Sequence, residues 1–492
     1  LTSIKKQTIR AFSWDILGRF LTQGSTFVVS IILARLLAPE EFGLVAMALA
    51  FVSVFSVFLD VGFSTALIQN QKNTQKTYSS IFYFNVFAGV ILTAIFYFIA
   101  PWIGEFYHNP SIVTIVRWLS LSFIFNSFNR VQNAILSKEL NFKYITLRTF
   151  SASVLSGTLG IIAAYQDWGV FSIVLQYLSF GFFSSVFLWS TGIWKPSLYF
   201  SFEELKKLLG FSSYAFFERI VNSVFVRLDV FLLAKFFPPV TIGFYSRAST
   251  LKEQVTKYSS SSIIRVLFPV LSKLQNDHAA YQRIYFKMFS LISLVSFLLS
   301  GILYFLGSDI ILLLFGRKWQ QSIPIFQILI LASCAIPLNS LMWNAMMSKG
   351  KSKENFYFGT IRKLVSLIPF YFAFQYGIWL FTVIWVIITY INTFFNMIML
   401  KNQVDIPIFK HLKLFSICFI PLVPSLFLFE FLDLQVFATR FSFSIGFVIF
   451  YFIFHFLAKT DGLLFILDLL NDFKTVFGKK ILFKSNAISP ND

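Results

Sequence analysis

The sequence predicts an all-α, polytopic membrane protein with fourteen transmembrane helices, arranged as two parallel six-helix bundles plus two C-terminal helices. Three observations predict it. Apolar runs of about twenty residues recur from Phe12 to Phe456, each long enough to cross a hydrocarbon core as a helix. Lys and Arg collect in alternate loops. A sequence repeat at an offset of 200 residues divides the chain. Composition agrees: of 492 residues, 57% are hydrophobic and 13% charged, about half the charged share of an average soluble protein.

The runs place spans at 11–34, 42–67, 79–103, 112–137, 146–166, 169–190, 210–235, 240–268, 285–307, 323–347, 360–376, 378–399, 412–431 and 437–458. The eleventh and twelfth are joined most tightly, at Gln375 to Gly377. Lys5, Lys6 and Arg10 precede the first span and lead straight into it, which argues against a cleavable signal peptide. Lys72 and Lys76 follow the second span, and Lys138, Lys143 and Arg148 the fourth. Lys195, Lys206 and Lys207 follow the sixth, and Lys273, Arg283 and Lys287 the eighth. Lys349, Lys351, Lys353, Arg362 and Lys363 make the tenth connection the most basic; Lys401, Lys410 and Lys413 follow the twelfth. A tail carrying Lys459, Lys474, Lys479, Lys480 and Lys484 ends the chain. The opposite loops are nearly bare apart from Arg317 and Lys318 and a few single charges. This bias places both termini in the cytoplasm and requires an even number of spans. In this setting the formal charge of +19 marks a membrane face, not a nucleic-acid partner.

The repeat pairs Leu33-Ala34-Arg35-Leu36-Leu37-Ala38-Pro39-Glu40-Glu41-Phe42-Gly43 with Leu233-Ala234-Lys235-Phe236-Phe237-Pro238-Pro239-Val240-Thr241-Ile242-Gly243. Each segment ends one helix and begins the next, with proline at the start where its missing donor costs nothing. A second match, at an offset of 211, pairs Asn133-Ala134-Ile135-Leu136-Ser137-Lys138 with Asn344-Ala345-Met346-Met347-Ser348-Lys349. An even number of spans per copy gives both copies one orientation, a known transporter plan. The expected organisation is a bundle over 1–194, a cytoplasmic linker at 195–209, a second bundle over 210–401, two further helices over 402–458 and a basic tail at 459–492. The Phe202-to-Leu209 segment has the pattern of a helix lying at the interface.

Ionisable groups at membrane depth are costly and face a bundle interior or a wet cavity. Asp15, Arg19, Thr22 and Thr26 share one helix face in span 1; Ser53, Ser56, Asp60 and Ser64 share one in span 2; Asn126, Arg130, Asn133 and Ser137 share one in span 4. Span 7 carries Ser212, Glu218, Arg219, Asn222, Ser223, Arg227 and Asp229, and span 8 carries Arg247, Lys252, Glu253, Lys257 and Arg265. Pairing of these charges with one another accounts for some of them: Asp15 with Arg19 as an i,i+4 pair, Glu218 with Arg219, and Arg227 with Asp229 or Asp60. It leaves a surplus, because Arg19, Arg130, Arg219, Arg227, Arg247, Lys252, Lys257 and Arg265 outnumber Asp15, Asp60, Glu218, Asp229 and Glu253. A positive cavity lined by hydroxyls and amides suits an anionic polar cargo, and the guanidinium fork matches phosphate or carboxylate oxygens. Apolar crevices would let an attached lipid tail stay in the bilayer. Cys334 and Cys418 lie inside apolar runs, and His108, His278, His411 and His455 form no ligand-spaced cluster, so neither a disulfide nor a metal site is expected.

The chain also resembles the bacterial polysaccharide flippases of the multidrug/oligosaccharidyl-lipid/polysaccharide exporter superfamily, in the lipopolysaccharide, colanic-acid and teichuronic-acid exporter branch. The resemblance rests on Ala11-Phe12-Ser13-Trp14, on Ile32 through Met47, on Asp60-Val61-Gly62-Phe63-Ser64-Thr65-Ala66-Leu67-Ile68-Gln69, on Asn133-Ala134-Ile135-Leu136 with Phe142, and on Gly243-Phe244-Tyr245-Ser246-Arg247-Ala248. It implies a MATE-like fold in the bacterial inner membrane. It further implies a transporter, not an enzyme, that flips undecaprenyl-diphosphate-linked oligosaccharide units from the cytoplasmic to the periplasmic leaflet for surface polysaccharide synthesis. No cofactor is implied beyond proton or sodium coupling. The implied partners are the lipid-linked oligosaccharide, membrane lipids, a polysaccharide polymerase and glycosyltransferases. Carried onto this chain, Arg19, Arg130, Arg219, Arg227 and Arg247 are the candidate head-group contacts. Asp15, Asp60, Glu218 and Asp229 are candidates for ion coupling or helix pairing. Three alternatives stay open: a lipid II flippase, a multidrug exporter, and a membrane polysaccharide polymerase or ligase. An enzyme of the last kind would need a large catalytic external loop, and the external loops here are short.

Overall fold

A computed structural model describes residues 2–70 and 72–468; for residues 2–12, 207–215, 217, 218, 258–266 and 352 it describes the backbone alone. The regular structure is helical throughout: α1 (Thr2–Leu36), α2 (Pro39–Phe55), α3 (Phe63–Gln69), α4 (Gln75–Phe106), α5 (Ser111–Lys138), α6 (Phe142–Tyr165), α7 (Val170–Ser190), α8 (Phe202–Phe236) and α9 (Pro239–Lys273). These are followed by α10 (His278–Phe305), α11 (Gly307–Phe315), α12 (Ser322–Leu331), α13 (Ile336–Ser348), α14 (Ser352–Val365), α15 (Ile368–Val404), α16 (Ile408–Leu432) and α17 (Phe437–Leu457). Among the described residues, 11 segments are long and apolar enough to cross a membrane. This is a multi-pass membrane protein. One of those segments, Lys353–Val404, runs for 52 residues. Its regular helix is interrupted at Gly377, whose φ of 88° and ψ of 177° suit only glycine. The interruption falls where the sequence joins its eleventh and twelfth spans. Two helices of 35 residues, α8 and α9, stand outside the 11 segments; both carry several charges. Most of the expected basic tail, from 469 onward, lies outside the described residues.

Packing contacts divide the chain into two units. The first comprises Leu1–Ser246 with Leu314–Trp319. Within it α4 packs on α5, α6 on both α1 and α7, and α8 on α2, α3 and α4. The polar stripe of α1 is used largely in this packing. Thr22 meets Thr149 Oγ1 at 3.3 Å, and Ser25 and Thr26 meet Ser153 Oγ at 2.9 and 3.1 Å, all on α6. Small residues bring the same two helices close, Gly18 against Thr146 and Gly157 against Val29.

The two repeat corners touch inside this unit. A Cβ placed on Gly43 would fall 1.7 Å from the Pro239 carbonyl oxygen, and one on Gly243 would fall 1.9 Å from the Pro39 carbonyl oxygen. The contact is reciprocal, each glycine against the proline carbonyl of the other copy. At the first corner the Ala38 N–H donates to Glu41 Oε2 at 2.6 Å, and proline at the helix start leaves no donor unmet. Trp319 packs edge-on against Phe42 and Phe244 and donates its indole N–H to the Ala34 carbonyl at 2.8 Å.

The second unit comprises Arg247–Leu313 with Gln320–Asp492. Here α10 is central, packed by α12, α13, α16 and α17. Phe289, Phe297, Phe305, Leu338, Leu341 and Tyr451 are fully buried in its core. Asp309 and Arg440 form a bidentate pair at 2.6 and 2.8 Å, largely screened from solvent, that ties α17 to α11.

Two stability outcomes follow from these contacts. Gly43→Val should lower the apparent melting temperature in detergent, by roughly 2 kcal/mol or more of overpacking, whereas Gly446→Val, with no atom near its added carbon, should melt like the wild type. Asp309→Ala should cost about 3 kcal/mol by stranding Arg440, and the double change Asp309→Leu with Arg440→Met should recover most of it.

Candidate functional site: a cationic cavity in the first unit

The second span departs from the continuous helix expected over 42–67. After α2 ends at Phe55 the chain tightens into a 3-10 turn, Ser56–Leu59, and then leaves helical geometry at Asp60. Gly62, at φ 88°, takes the left-handed conformation that lets α3 start on a new axis. Asp60 Oδ1 accepts the Ser64 N–H at 2.8 Å, satisfying one of the donors that a new helix start leaves free. The Asp60-Val61-Gly62 motif therefore builds a break, and the break puts a carboxylate inside the unit: Asp60 is 3% exposed.

Beside it lies a cavity of about 420 Å³. Ser53, Ser56, Val57 and Asp60 line it from the broken span, Arg130 from α5, and Arg219, Asn222, Ser223, Val226 and Arg227 from α8. Arg219 Nη1 stands 3.6 Å from Asp60 Oδ2, and its Nη2 donates to Thr65 Oγ1 at 2.5 Å. Arg130 Nη2 donates to the Ser56 carbonyl at 3.3 Å, in the turn where the helix tightens. Ser223 Oγ donates to the Ser53 carbonyl at 3.4 Å. Three guanidinium groups and one carboxylate thus share one small space with three serines and an asparagine. The Arg219 side chain is 43% exposed, so its donors remain open to a ligand in the cavity.

The candidate residues separate accordingly. Arg130, Arg219, Arg227 and Asp60 come together. Arg19 instead pairs with Asp15 at 3.0 Å on the face of α1 and is not among the lining residues. Arg247 begins the second unit, half-buried, and does not line this cavity. Asp229 accepts from the Tyr245 hydroxyl at 2.8 Å, joining α8 to the start of α9, so the partner foreseen for it, Arg227, is replaced by a phenol. Asp60 likewise meets Arg219 and not Arg227. The Glu218 side chain lies outside the described residues. Thr65 was not foreseen as a contact, because a continuous helix would not direct it toward Arg219; the glycine two residues after Asp60 was the available signal.

The family model described as polysaccharide biosynthesis protein matches residues 32–324, more than half of the chain. The chain belongs to that family. Among its relatives, the lipopolysaccharide biosynthesis protein WzxC of Escherichia coli (strain K12) is 24% identical over 372 residues, covering 73% of this chain and 74% of the relative. The teichuronic acid biosynthesis protein TuaB of Bacillus subtilis (strain 168) is 26% identical over 396 residues, covering 80% and 82%. Among solved structures, the lipid II flippase MurJ in an inward closed conformation superposes with a TM-score of 0.70 at 18% identity, covering 91% of this chain and 99% of that one. An inward-facing multidrug-resistance MATE family transporter gives a TM-score of 0.59 at 15% identity, covering 79% and 96%. The fold of this family member is therefore that of MurJ and the MATE transporters.

The cavity makes an accessibility test direct, because both native cysteines are buried. Ser53→Cys and Asn222→Cys should react with a water-soluble maleimide and be protected by millimolar pyrophosphate, while Ser120→Cys, buried between helices, should stay unlabelled. Labelling of Ser53→Cys and Asn222→Cys that pyrophosphate leaves unchanged would count against anion binding there.

Proposed function

We propose that this protein is a transporter that flips a diphosphate-linked oligosaccharide across the bacterial inner membrane by alternating access, for assembly of a surface polysaccharide. The observation that carries the reading is the charge balance of the cavity, three guanidinium groups against one carboxylate, next to serines and an asparagine that suit sugar hydroxyls. Membership of a polysaccharide biosynthesis family and relatives named for lipopolysaccharide and teichuronic acid biosynthesis agree with it. In this reading the polyprenyl tail stays in the bilayer while the head group passes through the protein, which avoids carrying a diphosphate through hydrocarbon.

The topology belongs to the same reading. The 11 segments become fourteen crossings when Lys353–Val404 is divided at Gly377 and α8 and α9 are added. An even count puts both termini on one side of the membrane, and the basic loops favour the cytoplasm for that side. The first and second six-span bundles, joined in sequence by the 195–209 linker, are the moving halves, and the Pro39 and Pro239 corners lie on the external side. Proton or sodium coupling drives the cycle, with glycosyltransferases supplying the cargo and a polymerase consuming it. A lipid II flippase would use the same phosphate chemistry, and the glycan decides between the two. A multidrug exporter of cationic compounds is disfavoured by the sign of the cavity.

In folded, reconstituted protein, Arg219→Ala and Arg227→Ala should each reduce flipping of a diphosphate-linked glycan about tenfold or more while barely affecting an uncharged glycolipid. Arg→Lys at either position should restore only part of the loss, because lysine keeps the charge and loses the fork. Wild-type rates in the alanine variants would remove both residues from the cargo path.

A further inference from the structure

The cavity contains a carboxylate that a site for anions would be stronger without. Asp60 is buried, is held by the Ser64 N–H, and points one oxygen at Arg219, which also donates to Thr65. Arg130 lines the same cavity and donates to the Ser56 carbonyl. Helix pairing alone is a weak account of this arrangement, since the Arg219 guanidinium is well exposed and the ion pair is long at 3.6 Å. With three arginines and one aspartate the lining carries a formal charge of +2. A diphosphate diester carries two negative charges, so the occupied cavity is neutral only with Asp60 ionised.

We propose that Asp60 is a resident counter-anion that competes with the cargo's diphosphate for Arg219, keeping cargo binding weak enough for release. This rests on the diphosphate reading of the cavity. Before loading, Asp60 neutralises part of the cationic cluster and Arg219 is held by Asp60 and Thr65. On loading, phosphate oxygens take over donors of Arg219, and Asp60 keeps its backbone contact to Ser64. On release, Asp60 re-forms its pair and supplies part of the attraction the departing phosphate gives up. A transport site must bind well enough to load and loosely enough to unload, and a fixed carboxylate among arginines sets that balance without reducing the number of donors.

The test follows from Coulomb's law, in which the effect of one added charge scales with the charge of the ligand. Full-length protein in nanodiscs would be titrated with two probes that share a citronellyl tail and N-acetylglucosamine and differ in one phosphate, a diphosphate diester of charge −2 and a phosphodiester of charge −1. Asp60→Asn preserves the acceptor for Ser64 and removes the charge. It should tighten the diphosphate probe about tenfold and the monophosphate probe about threefold, the first factor being near the square of the second. The same variant should flip the diphosphate probe several-fold more slowly at saturation, since unloading becomes harder. Asp60→Ser, neutral with a capping oxygen, should reproduce both effects, and Asp60→Glu, which keeps the charge, should not tighten either probe. Weaker or unchanged binding of the diphosphate probe in both neutral variants would overturn the proposal, because a residue that merely positions Arg219 predicts that outcome. So would equal tightening of the two probes. If the wild type binds neither phosphate probe better than the matching uncharged glycoside, the diphosphate reading fails first and takes this inference with it.

Discussion

A buried carboxylate in an apolar helical protein must be compensated, and the polar cavity is organised around that requirement at Asp60. The backbone makes the placement possible. A 3-10 turn tightens the end of α2, Asp60 leaves helical geometry, and Gly62 reverses the sign of φ so that α3 can start. The carboxylate then satisfies the Ser64 N–H and draws Arg219 toward it, while Arg130 uses the Ser56 carbonyl that the tightened turn presents. The two charges are not equally committed. Asp60 is nearly fully buried and would be costly to strand, whereas the Arg219 side chain is substantially exposed.

Close backbone approach is the second constraint. Gly43 and Gly243 each face the proline carbonyl of the other repeat corner at distances no side chain tolerates. The proline at each helix start and the glycine one turn later are the residues the sequence repeat preserves. They do different work: proline starts the helix without an unmet donor, and glycine removes the Cβ that would hold the two corners apart. Trp319, buried between Phe42 and Phe244, seals the same corner with an indole hydrogen bond to the end of α1.

The helical, membrane-spanning class was legible because twenty-residue apolar runs have one physical outcome in a bilayer. The break at Gly377 was legible too, since a glycine between two apolar runs with almost no spare residues leaves little alternative. The cavity was legible in part. Arg130, Arg219 and Arg227 were named from surplus charge at membrane depth and from the family resemblance, and they line one space. Arg19 followed the same pattern and pairs with Asp15, because spacing identifies a polar face but not the helix it meets. In α1 that face meets α6 through Thr22, Ser25 and Thr26. Asp229 shows the same limit: its partner, Tyr245, lies 16 residues away across a helix corner, where no helical periodicity applies. Thr65 went unseen because the second span was read as unbroken.

In the proposed transport cycle the head-group diphosphate binds between α2, α5 and α8. The most direct measurement is a cryo-electron microscopy structure of the full-length protein in nanodiscs, saturated with a polyprenyl diphosphate-linked glycan. The account predicts diphosphate density within hydrogen-bonding distance of Arg219 and of at least one of Arg130 and Arg227, with the Arg219–Asp60 distance longer than its present 3.6 Å. Diphosphate density seated instead at Arg19 or Arg247, with the Arg219–Asp60 pair unchanged, would contradict it.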